Sequence, residues 1–329
     1  MGIGSRTLQQ FIEFKKEGFF GNVKSVMDMG SQEIFCEGEE KAVKDFFEAF
    51  GVQDISHEDI AKIAGRGSAK GVYERLGFSY NCIDVDGQFG ALALDLNYED
   101  VPESHQSAYD FVTNFGTTEH VANQLNSFKV MHDLTKPGGY MYHELICTGW
   151  LNHGLVNYNP KMFWMLCKSN FYDYEGMWFW ANTEQPEKLP ENIIQMSRKI
   201  DPKTLNEFST QTAMIGVLMR KVFDVPFVPP LDGDLAGTTE DQRTRYWSVC
   251  DPEAYNKLSH LRYQIGPFLP NGKRVTSGQI KDLKMHQEDE LKTQLDEAIT
   301  EIEAMKTSKF WKLRTQWFKL KGLIGLNVK

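Results

Sequence analysis

The sequence predicts an α/β fold in which helices cover both faces of a mostly parallel sheet. Short apolar runs alternate with helical segments along much of the chain, which is typical of parallel strands joined by crossover helices. The composition, 41% hydrophobic and 25% charged residues in a chain of 329, is that of an ordinary globular protein. No apolar run approaches the roughly 20 residues that span a bilayer.

The first half of the predicted sheet contains three strands. An amphipathic helix at 6–17 precedes the first strand, VKSVMDM at 23–29, which we expect to be short and buried. A charge-rich helical stretch follows at about 37–77 and is interpreted as a helical insertion. The second strand is FSYNCID at 78–84, and the third is ALALD at 91–95.

The second half of the sheet contributes four more strands. The fourth is DFVTNF at 110–115, and a Pro-Gly-Gly hairpin leads into the fifth, YMYHELI at 140–146. A helix is predicted at about 160–169, because the proline at its start suits the first helical turn. The sixth strand is YEGMWFWA at 174–181, and the seventh is MIGVLMRKV at 214–222.

Two domains follow from this pattern. Residues 1–235 form the α/β domain, which carries a second, polar insertion at about 182–211 rich in proline. Residues 236–329 form a C-terminal extension, helical at about 277–321, with a packed terminal helix favoured over a free coiled coil.

The end of the extension is basic and aromatic. From Lys306 onward there are seven basic residues and no acid, so the net charge of −9 leaves −16 on the rest. Lysines mixed with Trp and Phe suit an interfacial helix on anionic lipid, which would make a peripheral membrane contact through 277–329. Packing of the aromatic residues against the acidic body, or self-association with a second subunit, explains the same residues and is the favoured interpretation.

The acidic body makes nucleic acid an unexpected partner. The five cysteines are scattered without CxxC spacing, and the first residues lack the pattern of a signal peptide. We therefore expect a cytoplasmic protein with reduced thiols, and a membrane-binding tail would bring it to the inner face of a membrane.

Polar residues follow the first three strands where a ligand of an open α/β sheet would bind. Asp28 lies at the end of the first strand and Gly30 follows after one residue, where glycine lets a ligand approach the backbone closely. Asp84 ends the second strand, where an acid can accept the hydroxyls of a ribose. Asp95 and Leu96 end the third and are placed to flank a base. Each position is also explained by an ordinary turn.

Three motifs make the interpretation more specific. VMDMGS, NFGTTEHV and LTKPGGYMYHE occur in the order found in class I S-adenosylmethionine-dependent methyltransferases, and the resemblance covers about 20–222. It implies a seven-stranded, mostly parallel Rossmann-like methyltransferase sheet and S-adenosyl-L-methionine as cofactor. The chain departs from the family in having one glycine in the first loop and a long gap from Gly30 to Asp84.

The resemblance also implies a role for individual residues. The methionine part of the cofactor would be held by Asp28, Gly30 and Ser31, the ribose by Asp84, the adenine by Asp95 and Leu96, and the sulfonium region by Asn114 and Phe115.

Methyl transfer to a hydroxyl needs a base, and histidine suits that role near neutral pH. His153 leads because it lies in the aromatic loop after the fifth strand. His143 is the second candidate, and the pair Glu119–His120, at the start of a helix, is the third. Glu119, His120, His143 and Glu144 could together form a hard-metal site, but we predict no metal. Each histidine also has a purely structural explanation.

Trp150, Asn157 and Tyr158 in the same loop are expected to line the acceptor pocket. We predict methyl transfer to a hydroxyl of a sugar, a glycan or a small metabolite. The alternatives are an N- or C-methyltransferase acting on a small molecule, or an inactive binding protein that has kept the fold.

Overall fold

The computed structural model describes residues 2–87, 90–181, 187–188, 212–233 and 237–246. The strands in these ranges are β1 Ile3–Gly4, β2 Ser25–Met29, β3 Glu33–Phe35, β4 Gly65–Ser68, β5 Ser79–Asp84, β6 Leu92–Ala93, β7 Tyr109–Phe115, β8 Thr135–Thr148, β9 Asp173–Ala181, β10 Glu187–Lys188 and β11 Ala213–Arg220. The helices are α1 Ser5–Lys16, α2 Glu40–Ala49, α3 His57–Ala64, α4 Ala69–Arg75, α5 Gln124–Leu134, α6 Pro160–Asn170 and α7 Glu240–Arg245.

The main sheet has the strand order β10-β9-β11-β8-β7-β2-β5-β6. The strands β6, β5, β2, β7 and β8 are parallel, whereas β11 is antiparallel to both of its neighbours, β8 and β9. The seven predicted strands are all present, and the two-residue β10 extends the edge. The predicted mostly parallel α/β sheet is confirmed.

The sheet is buried on both faces because successive residues of its central strands enter different cores. Val26 and Phe111 pack in an aromatic core with α1–α4, whereas Met27 and Val112 pack with α5 and α6. This alternation is the two-residue period of a strand, and it explains why β2 and β7 are apolar almost throughout.

The segment after α5 differs from the predicted hairpin. β8 begins at once after the helix, and Tyr109 pairs with Thr135 while Phe111 pairs with Tyr140, so the extra residues form a bulge in one strand. A Cβ on Gly139 would lie 2.9–3.1 Å from three backbone carbonyl oxygens, so only glycine fits this close approach.

The predicted helical insertion consists of three short helices and a strand. Ser56 and Ser68 cap α3 and α4 by accepting backbone N–H groups, which explains where these helices begin. The strand β4 joins β1 and β3 in a small three-stranded sheet that the sequence pattern did not predict.

Three other predictions differ from the structure or fall outside the described ranges. The third strand is shorter than expected, at Leu92–Ala93. The polar insertion at 182–211 lies almost wholly outside the described residues, as does the whole of the predicted helix and basic tail at 277–329. In the part of the chain that is described, no helix has both the length and the apolarity required to cross a membrane.

Candidate active site

The loop after β2 turns sharply at Gly30. This residue has φ of +89°, and its N–H donates to the Ile83 carbonyl at 2.7 Å. A Cβ here would lie 2.4 Å from Thr117 Oγ1, so the left-handed conformation and the crowding both require glycine. The backbone of the loop is therefore held tightly against the carboxyl ends of β5 and β7.

Two side chains that the sequence did not single out fix this loop. Gln32 Nε2 donates to the Met29 carbonyl at 2.8 Å and to Thr117 Oγ1 at 3.1 Å, and the Thr117 hydroxyl donates to the same carbonyl at 2.5 Å. The other amide atom, Gln32 Oε1, is buried without a hydrogen-bond partner among the described residues. A buried acceptor of this kind is costly unless a donor reaches it.

A cavity of about 350 Å³ opens beside the loop. We call it the strand-end cavity, and its lining includes Ser31, Gln32, Arg66, Lys70, Tyr80 and Asp84. Its volume is typical of small-molecule sites, which range over about 300–1,000 Å³. Asp84 ends β5 and accepts the Ser31 N–H through Oδ2 at 3.1 Å.

These groups fit S-adenosyl-L-methionine. A carboxylate at the end of the second core strand suits the ribose hydroxyls, and the buried acceptor Gln32 Oε1 suits an ammonium donor. Ser31 and Asp84, both predicted for the cofactor, come together here. Nothing in the pattern GSQE distinguished Gln32 as a cavity-lining residue, and Arg66 and Lys70 come from the insertion.

Asp28 lies beneath the cavity. Its carboxylate is 0% exposed and accepts hydrogen bonds from Tyr80 at 2.9 Å and from Thr113. Burial raises the pKa of Asp28 to about 7. With both oxygens bonded inside the protein, its side chain joins three neighbouring strands and does not line the cavity.

The other predicted cofactor residues present little side-chain surface. Asp95 Oδ1 accepts the Asn97 N–H at 2.8 Å and so shapes its own turn, while the Leu96 side chain lies in the core. Asn114 is buried and donates to Thr118 Oγ1 at 2.7 Å. Phe115 packs edge-on against Phe11 in the aromatic core. None of these four side chains lines the strand-end cavity.

Three predicted catalytic residues meet above the carboxyl ends of β7 and β8. We call Glu119, His120 and His153 the Glu119 cluster. His153 Nε2 lies 3.2 Å from Glu119 Oε1, and His120 Nε2 lies 3.8 Å from the same oxygen. Glu119 is 0% exposed, whereas the side chains of His120 and His153 are 49% and 32% exposed.

The chain brings His153 to Glu119 through a close backbone contact. The Glu119 carbonyl accepts the N–H groups of Leu155 at 2.7 Å and Val156 at 3.2 Å. Between them and His153 lies Gly154, where a Cβ would be 2.9 Å from that carbonyl oxygen. A single glycine in a loop gives no sequence signal of this approach, so the contact could not be predicted.

Electrostatics within the Glu119 cluster reflect its burial. Desolvation raises the pKa of Glu119 to about 7, even though the Ile146 N–H donates to Oε2 at 3.3 Å. Desolvation and the neighbouring His153 lower the pKa of His120. Among the described residues, Glu119 Oε1 has no hydrogen-bond partner, although the two imidazoles lie 3.2 and 3.8 Å away.

His143 and Glu144 point to opposite faces of β8, as expected for neighbours in a strand. His143 is 0% exposed between Phe128 and Phe163, and burial lowers its pKa to about 3. Glu144 accepts a hydrogen bond from Thr7 of α1 at 2.9 Å, on the other face of the sheet. Neither residue reaches the Glu119 cluster.

The three predicted acceptor residues occupy different positions in the loop. Trp150 lies beside the cluster, with its ring centroid 5.1 Å from that of His153, and its Nε1–H donates to the Ala213 carbonyl at 3.1 Å. Asn157 is exposed. Tyr158 is buried, and its hydroxyl donates to Gln124 Oε1 at 2.6 Å, so it anchors the loop.

The fold and the strand-end cavity define an α/β protein with a nucleotide-type cofactor site at the carboxyl edge of its sheet. The family described as Methyltransferase domain matches residues 13–265. The chain therefore belongs to this family of S-adenosylmethionine-dependent methyltransferases, and its cofactor is S-adenosyl-L-methionine. No curated protein matches the sequence.

Solved structures with related folds are distant. A SAM-dependent methyltransferase from Archaeoglobus fulgidus has 11% identity and a TM-score of 0.35, covering 66% of this chain and 92% of its own. The O-methyltransferase from a trans-AT PKS multienzyme of Brevibacillus brevis, in complex with S-adenosyl-L-homocysteine, has 11% identity and a TM-score of 0.35. The match covers 82% of this chain and 86% of that enzyme. The 1,6-didemethyltoxoflavin-N1-methyltransferase of Burkholderia thailandensis has 11% identity and a TM-score of 0.34. The match covers 67% of this chain and 78% of that enzyme.

Proposed function

We propose that this methyltransferase acts on a hydroxyl group of a sugar, a glycan or a small metabolite, with His153 as the general base. The carrying observation is the contact between His153 and the buried carboxylate of Glu119. Bound S-adenosyl-L-methionine supplies an electrophilic methyl group on a sulfonium. A neutral hydroxyl is a poor nucleophile, so the protein's task is to orient it and remove its proton.

The base lies close to the cofactor loop. Thr117, two residues before Glu119, donates to the Met29 carbonyl and accepts from Gln32. The strand-end cavity lies at β2 and β5, and the Glu119 cluster lies at β7 and β8, along one edge of the same sheet. An acceptor at the cluster would therefore lie next to a cofactor in the cavity.

The contact also favours one tautomer of His153. When Nε2 carries the proton, its N–H lies next to Glu119 Oε1, 3.2 Å away, and the lone pair is left on Nδ1. Nδ1 can then take the proton of the acceptor hydroxyl, and the carboxylate stabilises the imidazolium that forms. Because Glu119 is buried, water does not weaken this interaction.

The surroundings of the base suit a small polar acceptor with some apolar surface. The Trp150 ring provides an apolar wall at His153, and both histidines of the Glu119 cluster are partly exposed to solvent. Sugars and hydroxylated metabolites combine apolar and polar surfaces, which supports this class of acceptor.

His153→Ala tests the proposal. We expect the variant to bind S-adenosyl-L-homocysteine with unchanged affinity by calorimetry, while turnover falls by about 100-fold or more. Turnover is measured as S-adenosyl-L-homocysteine release, in chelator, with a panel of methyl glycosides, hydroxylated aromatics and matched amines. His57→Ala, at an exposed histidine in α3, is the control. Full turnover in His153→Ala, or methylation of the amines alone, would contradict the proposal.

A further inference from the structure

The Glu119 cluster places three metal-ligand atoms around one point. One potential ligand atom from each of Glu119, His120 and His153 lies within 4.8 Å of the other two. Each belongs to a residue type that binds divalent metals, and two imidazoles with one carboxylate form a common ligand set for transition metals. A histidine base needs only one of the two imidazoles, so the base role leaves the position of His120 unexplained.

The spacing matches that of ligands around a cation. Zinc binds imidazole nitrogen and carboxylate oxygen at about 2.0–2.2 Å, so ligands at tetrahedral angles lie roughly 3.3 Å apart. The two oxygen–nitrogen distances in the cluster are 3.2 and 3.8 Å. Small side-chain rotations would therefore complete the site without moving the backbone.

The burial of the carboxylate gives a second, independent indication. Glu119 is 0% exposed, and within the described ranges its Oε1 has no hydrogen-bond partner. Leaving such an oxygen unpaired away from water is costly, whereas a cation offsets the cost directly. Both histidines are partly exposed, so a cation can enter from solvent.

We propose that the Glu119 cluster binds one divalent transition-metal cation, of which Zn²⁺ is the representative, and that this cation inhibits methyl transfer. The argument for cation binding depends only on the positions of the three ligand residues. The inhibition rests on the proposed function, because a metal on His153 Nε2 places the remaining ring proton on Nδ1. The lone pair that would accept the hydroxyl proton is then absent.

The ligand set also predicts which cations bind. Imidazole nitrogen favours Zn²⁺, Co²⁺ and Ni²⁺ over Mg²⁺ and Ca²⁺, which prefer sites made entirely of oxygen. Three protein ligands leave a fourth position for water. Calcium and magnesium are therefore expected to leave turnover unchanged at concentrations where zinc inhibits.

The experiment uses the full chain after treatment with chelator. Zinc is titrated by calorimetry, and cobalt is added as a probe whose visible absorption reports nitrogen ligation. We expect one equivalent to bind, and His120→Gln to weaken the affinity by about tenfold or more, since it removes one of three ligands. His57→Gln, which removes an exposed histidine elsewhere, should bind as the wild type does.

Inhibition is measured against each protein's own metal-free rate. The zinc concentration that halves turnover should rise in His120→Gln by the same factor as the dissociation constant. No binding to the wild type, or equal binding to His120→Gln in a variant shown to be folded by circular dichroism, would overturn the site. Stimulation of turnover by zinc would overturn the inhibitory role.

Failure of the proposed base would be seen separately. If His153→Ala keeps full turnover in chelator, the base assignment is wrong, whereas zinc calorimetry and cobalt absorption still decide the cation site. If zinc binds with the expected dependence on His120 but never changes the rate, the inhibitory role is overturned and the site stands.

Discussion

At the scale of single residues, Gly30 combines two requirements that no other amino acid meets. Its φ of +89° is disfavoured for residues with a side chain, and a Cβ would meet Thr117 Oγ1 at 2.4 Å. The clash can be relieved only if Thr117 gives up its hydrogen bond to Met29. Gly30 therefore determines the shape of the loop that borders the strand-end cavity.

We expect Gly30→Ala to weaken binding of S-adenosyl-L-homocysteine by about tenfold or more, measured by calorimetry. The matched control is Gly38→Ala, because Gly38 has a similar φ of +79° and an added Cβ there would meet no described atom within 4 Å. Both substitutions carry a conformational cost of about 1–2 kcal/mol, but only the first has the clash. Equal affinities for the two variants would show that the close approach is unimportant.

At the scale of elements, the loop between β8 and α6 is anchored at two points, near Gly154 and at Tyr158. The Glu119 carbonyl binds it beside Gly154, and the Tyr158 hydroxyl binds Thr118 and Gln124. The loop is thus attached to the same turn that supplies Glu119 and His120. Its attachment, more than its composition, places His153.

Gly154→Ala should separate the loop from Glu119. The added Cβ would meet a backbone oxygen, which cannot move cheaply, so His153 should shift away from the carboxylate. We expect turnover to fall by about tenfold or more, with the affinity for S-adenosyl-L-homocysteine retained. Gly71→Ala in α4, where the described residues leave open space for a Cβ, is the control. A loss of cofactor affinity in Gly154→Ala would contradict a local effect.

The elements that the sequence predicted well are those with strong periodicity. Burial on both faces gives β2 and β7 their apolar runs, and the first helix was placed within one residue of its true bounds. The small sheet was not predictable, because β4 has the sequence GRGS and lacks any apolar alternation. The bulge at Lys136–Gly139 resembled a hairpin because both use glycine at positive φ.

The candidate site was predictable in its residue types but not in their grouping. Asp84 and Ser31 lie together because the parallel strands β2 and β5 end at one edge of the sheet. The strand pattern of the sequence is enough to predict this proximity. Glu119 and His153 are 34 positions apart, and only the contact at Gly154 joins them. His143 has an equally suggestive sequence context, yet strand alternation directs it into the core.

At the scale of the whole molecule, Asp28 links folding to pH. Its carboxylate bridges β5 and β7 from within β2, and its pKa is raised to about 7 from an ordinary value of 3.8. A group whose pKa is raised on folding holds its proton more tightly in the folded state. Its contribution to stability is complete below about pH 4 and is lost as the pH rises to about 7.

Asp28→Asn should therefore remove part of the pH dependence of stability. The amide can still accept from one of Tyr80 and Thr113 and donate to the other. Between about pH 5 and about pH 8, we expect the wild type to lose about 2 kcal/mol relative to the variant. Urea unfolding at both pH values measures the difference.

The control is Glu37→Gln, which neutralises an exposed acid and should follow the wild type at both pH values. A parallel pH dependence in Asp28→Asn and the wild type would mean that the buried carboxylate is ionised throughout the range. Glu144, whose pKa burial also raises to about 7, is unchanged in both proteins and cancels from the comparison.

The attachment of the loop at Gly154 and Tyr158 divides it into fixed and free positions. Leu151 is 92% exposed and Leu155 is 69% exposed, although each lies within two residues of His153, the proposed base. Neither leucine belongs to a buried core cluster, so substitution at these two positions should leave the fold unchanged. If His153 is the base, the two leucines are the natural positions at which to alter acceptor preference without altering the chemistry.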